Sequence, residues 1–378
     1  MKKKVNVAVI GTKFMGKAHS NAWLTAPKFF DLPYTPVLKT ICARDLEATK
    51  SFAANWGYED VENDWRKVME RKDIDIVDIC TPTINHHEMV VAAAEAGKQI
   101  LCEKPCALSY AQAKEMAETA DKAGVLHYLN HNYRRIPAVG FAKQLIEEGK
   151  IGDIYHWRGA YLQDWIIDPD FPFTWQLDEK SAGAGPHFCL NSHAVDLSHF
   201  LIGGIESVYA MMKTFIKNRP IDFGSSQTKT VTVDDASFMV AEFKNGAMGS
   251  FDTSRITAGR RNHNYFEVYG SKGSILFDLE KMNELEYFDS EEASDRQGFR
   301  TIQVTDGQHP YISGWWPPGH IIGYEHTFTH AIKDFICAMA KGDKIYPDLW
   351  DGVRIMQVLE AGLKSNDESR KVRVDEIR

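Results

Sequence analysis

The chain has 378 residues, which at roughly 100–200 residues per domain points to two domains or three. Its 52 acidic and 44 basic side chains leave a formal charge of −8, which excludes a nucleic-acid-coating protein built on clustered Lys and Arg. With 44% hydrophobic residues and 9 Trp, 14 Tyr and 20 Phe, the chain fills a sizeable core and is not a disordered one.

No apolar run approaches the roughly 18 residues that a membrane span needs, so no membrane partner is expected. The opening MKKKVNVAVIG reads as a first β-strand rather than a secretory leader, because its apolar stretch is short and broken by Asn6. Six cysteines, at 42, 80, 102, 106, 189 and 337, are too sparse for a disulfide framework. Reduced, buried thiols in a cytoplasmic protein are expected.

Strand-like runs at 5–10, 37–42, 74–80, 99–102 and 125–130 alternate with helical patterns at 16–26, 46–56, 86–96 and 109–123. Gly57, Gly97 and Gly124 stand where helix C-caps belong, and Ser109 with Gln112 reads as a capping box. Continuous apolar strands alternating with helices imply a parallel sheet covered on both faces. Beyond residue 130 the pattern changes. A helix is expected at 137–148, a strand at 154–162 and a helix at 187–202. Strands then follow in succession at 206–213, 236–243, 248–253, 264–269 and 274–278. Asn245-Gly246 marks a hairpin between two of them. Such a run implies an antiparallel or mixed sheet. Helices near 322–340 and 349–365 close the chain, and the irregular stretch 289–320 carries Trp315, Trp316, Pro317 and Pro318. The fold class is therefore α/β, with domains at 1–130 and 131–378.

The first strand runs into Gly11-Thr12-Lys13-Phe14-Met15-Gly16 and then a helix. This is the dinucleotide fingerprint G-x-G-x-x-G with its middle glycine replaced by Lys13. Gly11 would make the tight turn, Gly16 would let the helix approach the sheet, and the pyrophosphate would rest on the helix N-terminus. Arg44 and Asp45 end the second strand. Asp45 suits the ribose of NAD and Arg44 the 2′-phosphate of NADP, so NAD is the expected cofactor with NADP left open. Glu103-Lys104-Pro105 follows the fourth strand, at the carboxyl edge where open parallel sheets bind ligands. A lysine there can stabilise a developing alkoxide.

Taken together, these motifs resemble the Gfo/Idh/MocA oxidoreductases, the glucose–fructose oxidoreductase and inositol dehydrogenase family. The residues that carry the resemblance are Gly11 to His19, Thr81-Pro82 through His86, Ala92 to Lys98, Cys102 to Pro105, Asn132 to Arg135, Gly185 through Leu197, and Pro347 to Arg354. The resemblance implies an N-terminal Rossmann domain and a C-terminal α+β domain with an open, mainly antiparallel sheet. It also implies homo-oligomers (dimer, tetramer or hexamer) and a small-molecule sugar substrate. The stretches Asn132 to Val139 and Tyr161 to Trp165 look most like the branches that oxidise levoglucosan-type anhydrosugars and glycosides at the 3-position.

The resemblance carries the catalytic pair to Lys104 and His193, with His193 as base and Lys104 polarising the oxygen. Cofactor contacts are expected from residues 11–16, Arg44, Asp45, Thr81, Pro82, His86, Glu103 and Lys104. Substrate contacts are expected from Lys104, Asn132, Arg134, Asp164, Trp165, Cys189, His193, Trp316 and His320. The chain departs from the family pattern at Cys189, where an aspartate is usual, and at Asn191, where a glycine is usual. His187 or Asp164 is expected to compensate. No metal is expected, since His86-His87-Glu88 falls at a helix start and His326/His330 has no matched third ligand. Two other functions stay open: a dinucleotide-binding sensor without turnover, and an enzyme that cleaves glycosides through transient C3 oxidation and elimination.

Overall fold

The computed structural model describes residues 2–378. In chain order the elements are β1 (Lys3–Ile10), α1 (Phe14–Phe29), β2 (Tyr34–Cys42), α2 (Leu46–Trp56), β3 (Asp60–Glu62), α3 (Trp65–Glu70), β4 (Ile76–Ile79), α4 (His86–Glu95), β5 (Gln99–Glu103), α5 (Tyr110–Ala123) and β6 (His127–Asn130). Then come α6 (Pro137–Glu147), β7 (Ile154–Leu162), α7 (Glu179–Ala182), α8 (Pro186–Cys189), α9 (Asn191–Leu201), β8 (Ile205–Lys213), β9 (Asn218–Pro220), β10 (Thr228–Thr230), β11 (Ala236–Phe243) and β12 (Met248–Ser254). The chain ends with β13 (His263–Gly270), β14 (Gly273–Asp278), β15 (Glu284–Asp289), β16 (Arg300–Gln303), α10 (Tyr324–Lys341), α11 (Leu349–Glu368) and β17 (Val372–Arg373).

Two compact units result. The first holds residues 1–135 and 322–354, the second 136–321 and 355–378. The first unit therefore extends past the expected 1–130, because α10 returns to it. Phe328, Ala331, Ile332, Phe335 and Ile336 of α10 join Trp23, Ala26, Val7 and Val9 in one buried cluster.

The sheet of the first unit has the order β3-β2-β1-β4-β5-β6, with every pair parallel. Its central strands are apolar on both faces, as in Val7, Ala8 and Val9 or Ile76 and Val77, all fully buried, because helices cover both sides. Gly57 and Gly124 are left-handed C-caps of α2 and α5, and Ser109 Oγ accepts the N–H of Gln112. The Gln112 side chain accepts from Leu108 N–H, so the expected reciprocal bond to Ser109 is displaced by one residue.

The second unit is built on a nine-stranded sheet, β16-β15-β14-β13-β7-β12-β11-β8-β17. The β7–β12 pair is parallel and the others antiparallel. Period-two alternation sends Trp157, Phe251, Phe266 and Phe277 to a fully buried face. Among the described residues, no helix is long and apolar enough to cross a membrane.

Candidate active site

In the first unit the β1–α1 turn is shaped for close backbone approach. Gly11 has φ +120°, and a Cβ there would lie 2.6 Å from the Cys80 carbonyl oxygen. A Cβ on Gly16 would overlap the Gly11 carbonyl oxygen. No side chain caps the N-terminus of α1, and its first turn carries no acid. The helix dipole and leading N–H groups are thus left to an anion. Thr12 and Met15 are partly buried, while Lys13 and Phe14 are exposed. This cradle, which side chains on the two glycines would fill, fits a dinucleotide pyrophosphate. At the end of β2, Arg44 and Asp45 are exposed, and Asp45 also caps α2 by accepting the Ala48 N–H at 3.1 Å.

Lys104 follows β5 at the same carboxyl edge, partly buried, with its N–H donated to Glu103 Oε2 at 3.2 Å. The Glu103 carboxyl, expected at the cofactor, is engaged by neighbouring side chains of its own unit. It is buried, and its Oε1 lies 2.8 Å from His19 Nε2 and 2.6 Å from Asn130 Nδ2. His19 in turn sets Nδ1 2.9 Å from both Asp78 oxygens, and Trp23 Nε1 donates to Asp78 at 2.7 Å. Sequence reading missed Asp78, Trp23 and Asn130. A carboxylate inside the apolar strand IVDI was the available signal, since a buried charge requires partners.

Thr81 and Pro82, after β4, are partly buried. His86 departs from its expected cofactor contact. It is fully buried, with its ring nitrogens 2.9 Å from the carbonyls of Pro105 and Thr81. Burial pushes its pKa below the usual range, and the ring lies between the two loops that carry those carbonyls. Asn132 and Arg134 are likewise committed within the unit, Asn132 to Thr327 Oγ1 at 2.8 Å and Arg134 to Asp351 at 3.4 Å.

In the second unit His193 lies in the first turn of α9, 4% exposed, with the Tyr161 ring edge-on at 5.6 Å. The Tyr161 hydroxyl donates to Asn262 Oδ1 at 2.7 Å, and Gln163 Nε2 donates to the same oxygen at 2.9 Å. Gln163 Oε1 accepts from Trp165 Nε1 at 3.1 Å. One asparagine thus links the ring beside His193 to Trp165, which packs edge-on against Phe171 at 5.3 Å. Asp164 is held by the Gly259 N–H at 3.1 Å and Arg261 at 3.3 Å.

Cys189 is partly buried. Asn191 is 1% exposed, and among the described residues neither of its amide atoms has a hydrogen-bond partner. His187 does not compensate for Cys189, because both its nitrogens are used. Nε2 faces the Leu359 carbonyl at 2.7 Å and so carries the proton, while Nδ1 accepts from Ser237 Oγ at 3.0 Å. Trp316 is half-exposed, and exposed His320 bonds the Pro317 carbonyl at 2.9 Å within its own turn.

Two trios present ligand atoms within 4.8 Å of one another, His19/Asp78/Cys80 and His263/Asp278/Glu280. In the first, Asp78 already accepts from His19, Trp23 and Cys80. In the second, Glu280 lies 3.5 Å from Arg260. All six cysteines are free thiols, and burial pushes Cys42 and Cys106 up to about 12.

Residues 5–131 match the model of the oxidoreductase family with NAD-binding Rossmann fold, and 140–276 match the GFO/IDH/MocA C-terminal domain. The chain is 38% identical to levoglucosan dehydrogenase of Pseudarthrobacter phenanthrenivorans, with 99% of each chain covered. Among solved structures, an oxidoreductase domain protein from Kribbella flavida superposes with a TM-score of 0.96 at 44% identity, covering 99% of this chain and 100% of the other. A levoglucosan dehydrogenase in complex with NADH and levoglucosan superposes with a TM-score of 0.95 at 39% identity, covering 98% and 99%.

Proposed function

The chain belongs to the Gfo/Idh/MocA oxidoreductases and is an NAD-dependent oxidoreductase, and on that premise we propose that it oxidises a secondary ring hydroxyl, at C3, of an anhydrosugar or glucoside. The observation that carries this reading is the pairing, on one carboxyl edge of one parallel sheet, of the Gly11/Gly16 cradle with Lys104. Full-length likeness to levoglucosan dehydrogenase supports the substrate class.

Removing two hydrogens from a carbinol sends a hydride from carbon and a proton from oxygen. Bound NAD supplies the hydride acceptor. The turn 11–16 holds its pyrophosphate, Arg44 and Asp45 its ribose, and Thr81 and Pro82 line its path. Lys104 donates a hydrogen bond to the reacting oxygen and stabilises its negative charge as the O–H bond breaks. His193 takes that proton, the ordinary work of an imidazole near neutral pH. The Tyr161 ring, fixed by Asn262, orients the His193 ring. Asp164, Trp165, Cys189, Trp316 and His320 belong to the sugar's surroundings in this reading.

The reading includes self-association through the outward face of the second unit's sheet and residence in a reducing compartment such as the cytoplasm. The exposed side chains Tyr209, Met211, Phe238, Val240 and Met248 support the first, and the six unpaired cysteines support the second.

The test is a panel of levoglucosan, methyl glucosides, free glucose and inositol with NAD and NADP. NADH and a 3-keto product from an anhydrosugar or glucoside are expected. Sugar binding to NAD-loaded protein without reduction would favour a sensor. Aglycone release without net NADH would favour the eliminating enzyme.

A further inference from the structure

We propose that His19 is a positioning residue for Lys104: clamped between Asp78 and Glu103, it fixes the carboxylate that holds the Lys104 backbone. This rests on the reading of Lys104 as the oxygen-polarising donor.

The geometry runs in one line. Asp78 on β4 meets His19 Nδ1 at 2.9 Å through both oxygens. His19 Nε2 meets Glu103 Oε1 at 2.8 Å. Glu103 Oε2 receives the Lys104 N–H at 3.2 Å. Every side chain in the line before Lys104 is at least nine-tenths buried. A neutral imidazole has one N–H and would satisfy one carboxylate only. Two ionised carboxylates in this interior need a cation between them, and the doubly protonated ring serves both.

The carboxylates around the ring favour that charge, while Asn130 Nδ2, 3.1 Å from His19 Nε2, faces it as a second donor. β4 presents Asp78, and Cys80 follows it. β5 presents Glu103, with Lys104 beyond, and β6 presents Asn130. From α10 the Phe328 ring packs at 5.4 Å, and Tyr324 lies within electrostatic reach of Glu103. Burial works against the charge, but Asp78 beside it holds the His19 pKa well above the usual value. Trp23 and Asn130 donate to the remaining carboxylate lone pairs. With Glu103 so held, its Oε2 has one orientation in which to anchor the peptide that starts the Lys104 turn.

Three measurements test this. In full-length protein without cofactor, the ¹⁵N shifts of His19 should report both nitrogens protonated at about pH 7.5, above the ordinary imidazole value. A neutral ring there overturns the proposal. In His19→Asn, the Lys104 amide should exchange its hydrogen at least about tenfold faster, and unchanged protection overturns it. For turnover, His19→Asn should lower kcat about 10- to 100-fold, with the calorimetric Kd for NAD within about threefold. Its kcat should also gain an ionisation absent from the parent, because Glu103 is then left without the cation that holds its carboxyl below the usual range.

If His19→Asn does not fold, His19→Gln/Asp78→Asn removes one positive and one negative group together. That variant should fold and still lose at least tenfold in kcat, and kcat within twofold of the parent overturns the proposal. Lys104→Met separates the two claims. If it keeps full kcat, the underlying reading of Lys104 fails. If it loses kcat while the His19 variants do not, only the positioning role fails.

Discussion

At the scale of single residues, two features of the site are set by atoms that leave no room for alternatives. A methyl group on Gly16 would strike the Gly11 carbonyl oxygen. Gly16→Ala should therefore destabilise the first unit by about 1–3 kcal/mol, read by denaturant unfolding, and raise the NAD Kd in calorimetry. The buried histidines are the second feature. Burial holds His330 down to about 3, with Nδ1 donating to the Arg135 carbonyl at 2.8 Å. An unfolded histidine titrates near 6.5, so below that value the unfolded chain binds a proton that the folded chain refuses. The stability this group contributes is present above about pH 6.5 and lost as pH falls toward 3, by about 1.4 kcal/mol per pH unit. His86 and His187, also lowered by burial, act in the same sense. His19, raised by its carboxylate neighbour, acts oppositely: its contribution is intact below 6.5 and fades only as pH rises through its folded value. His330→Gln should make the acid limb of Tm against pH shallower, and an unchanged slope would remove His330 from the explanation.

At the scale of elements, what was legible follows from locality. The apolar runs at 5–10 and 99–102 and the caps at Gly57 and Gly124 depend on neighbouring residues only, and they stand as β1, β5 and the ends of α2 and α5. The Asn245-Gly246 hairpin is equally local: Asn245 Oδ1 accepts the Ala247 N–H and Gly246 takes φ +89°. Gly246→Ala should cost about 1 kcal/mol, read by thermal unfolding, whereas an unchanged Tm would contradict a left-handed requirement there. The short strands β3, β9, β10, β16 and β17 were missed, because two to four mostly polar residues carry no periodic signal. They exist by pairing along their neighbours, as Thr228 does with Pro220 and Val372 with Val208. In the site, Lys104 was legible because it abuts an apolar strand. The ties of His86 to Pro105, His187 to Leu359 and His19 to Asp78 span 19, 172 and 59 residues, and no window of sequence displays them.

At the scale of the whole molecule, the chemistry proposed for one site sits on a protein with an apolar sheet face turned outward. Phe238 is registered beside Met211 and Val240 beside Tyr209, and all four are more than two-fifths exposed. An exposed apolar face of this kind supports the self-association proposed above. Light scattering should give a mass that is a multiple of one chain, and Phe238→Lys/Val240→Lys should reduce it. A parent protein that already runs as a single chain would contradict the proposed self-association.

The catalytic proposal is tested most directly by isotope. A levoglucosan or methyl glucoside deuterated at C3, incubated with the protein and NAD, should yield the 3-ketone and reduced cofactor carrying one deuterium. His193→Ala and Lys104→Ala should each slow this transfer by about 10²–10⁴-fold. Reduced cofactor without deuterium, or transfer undiminished in both variants, would contradict it.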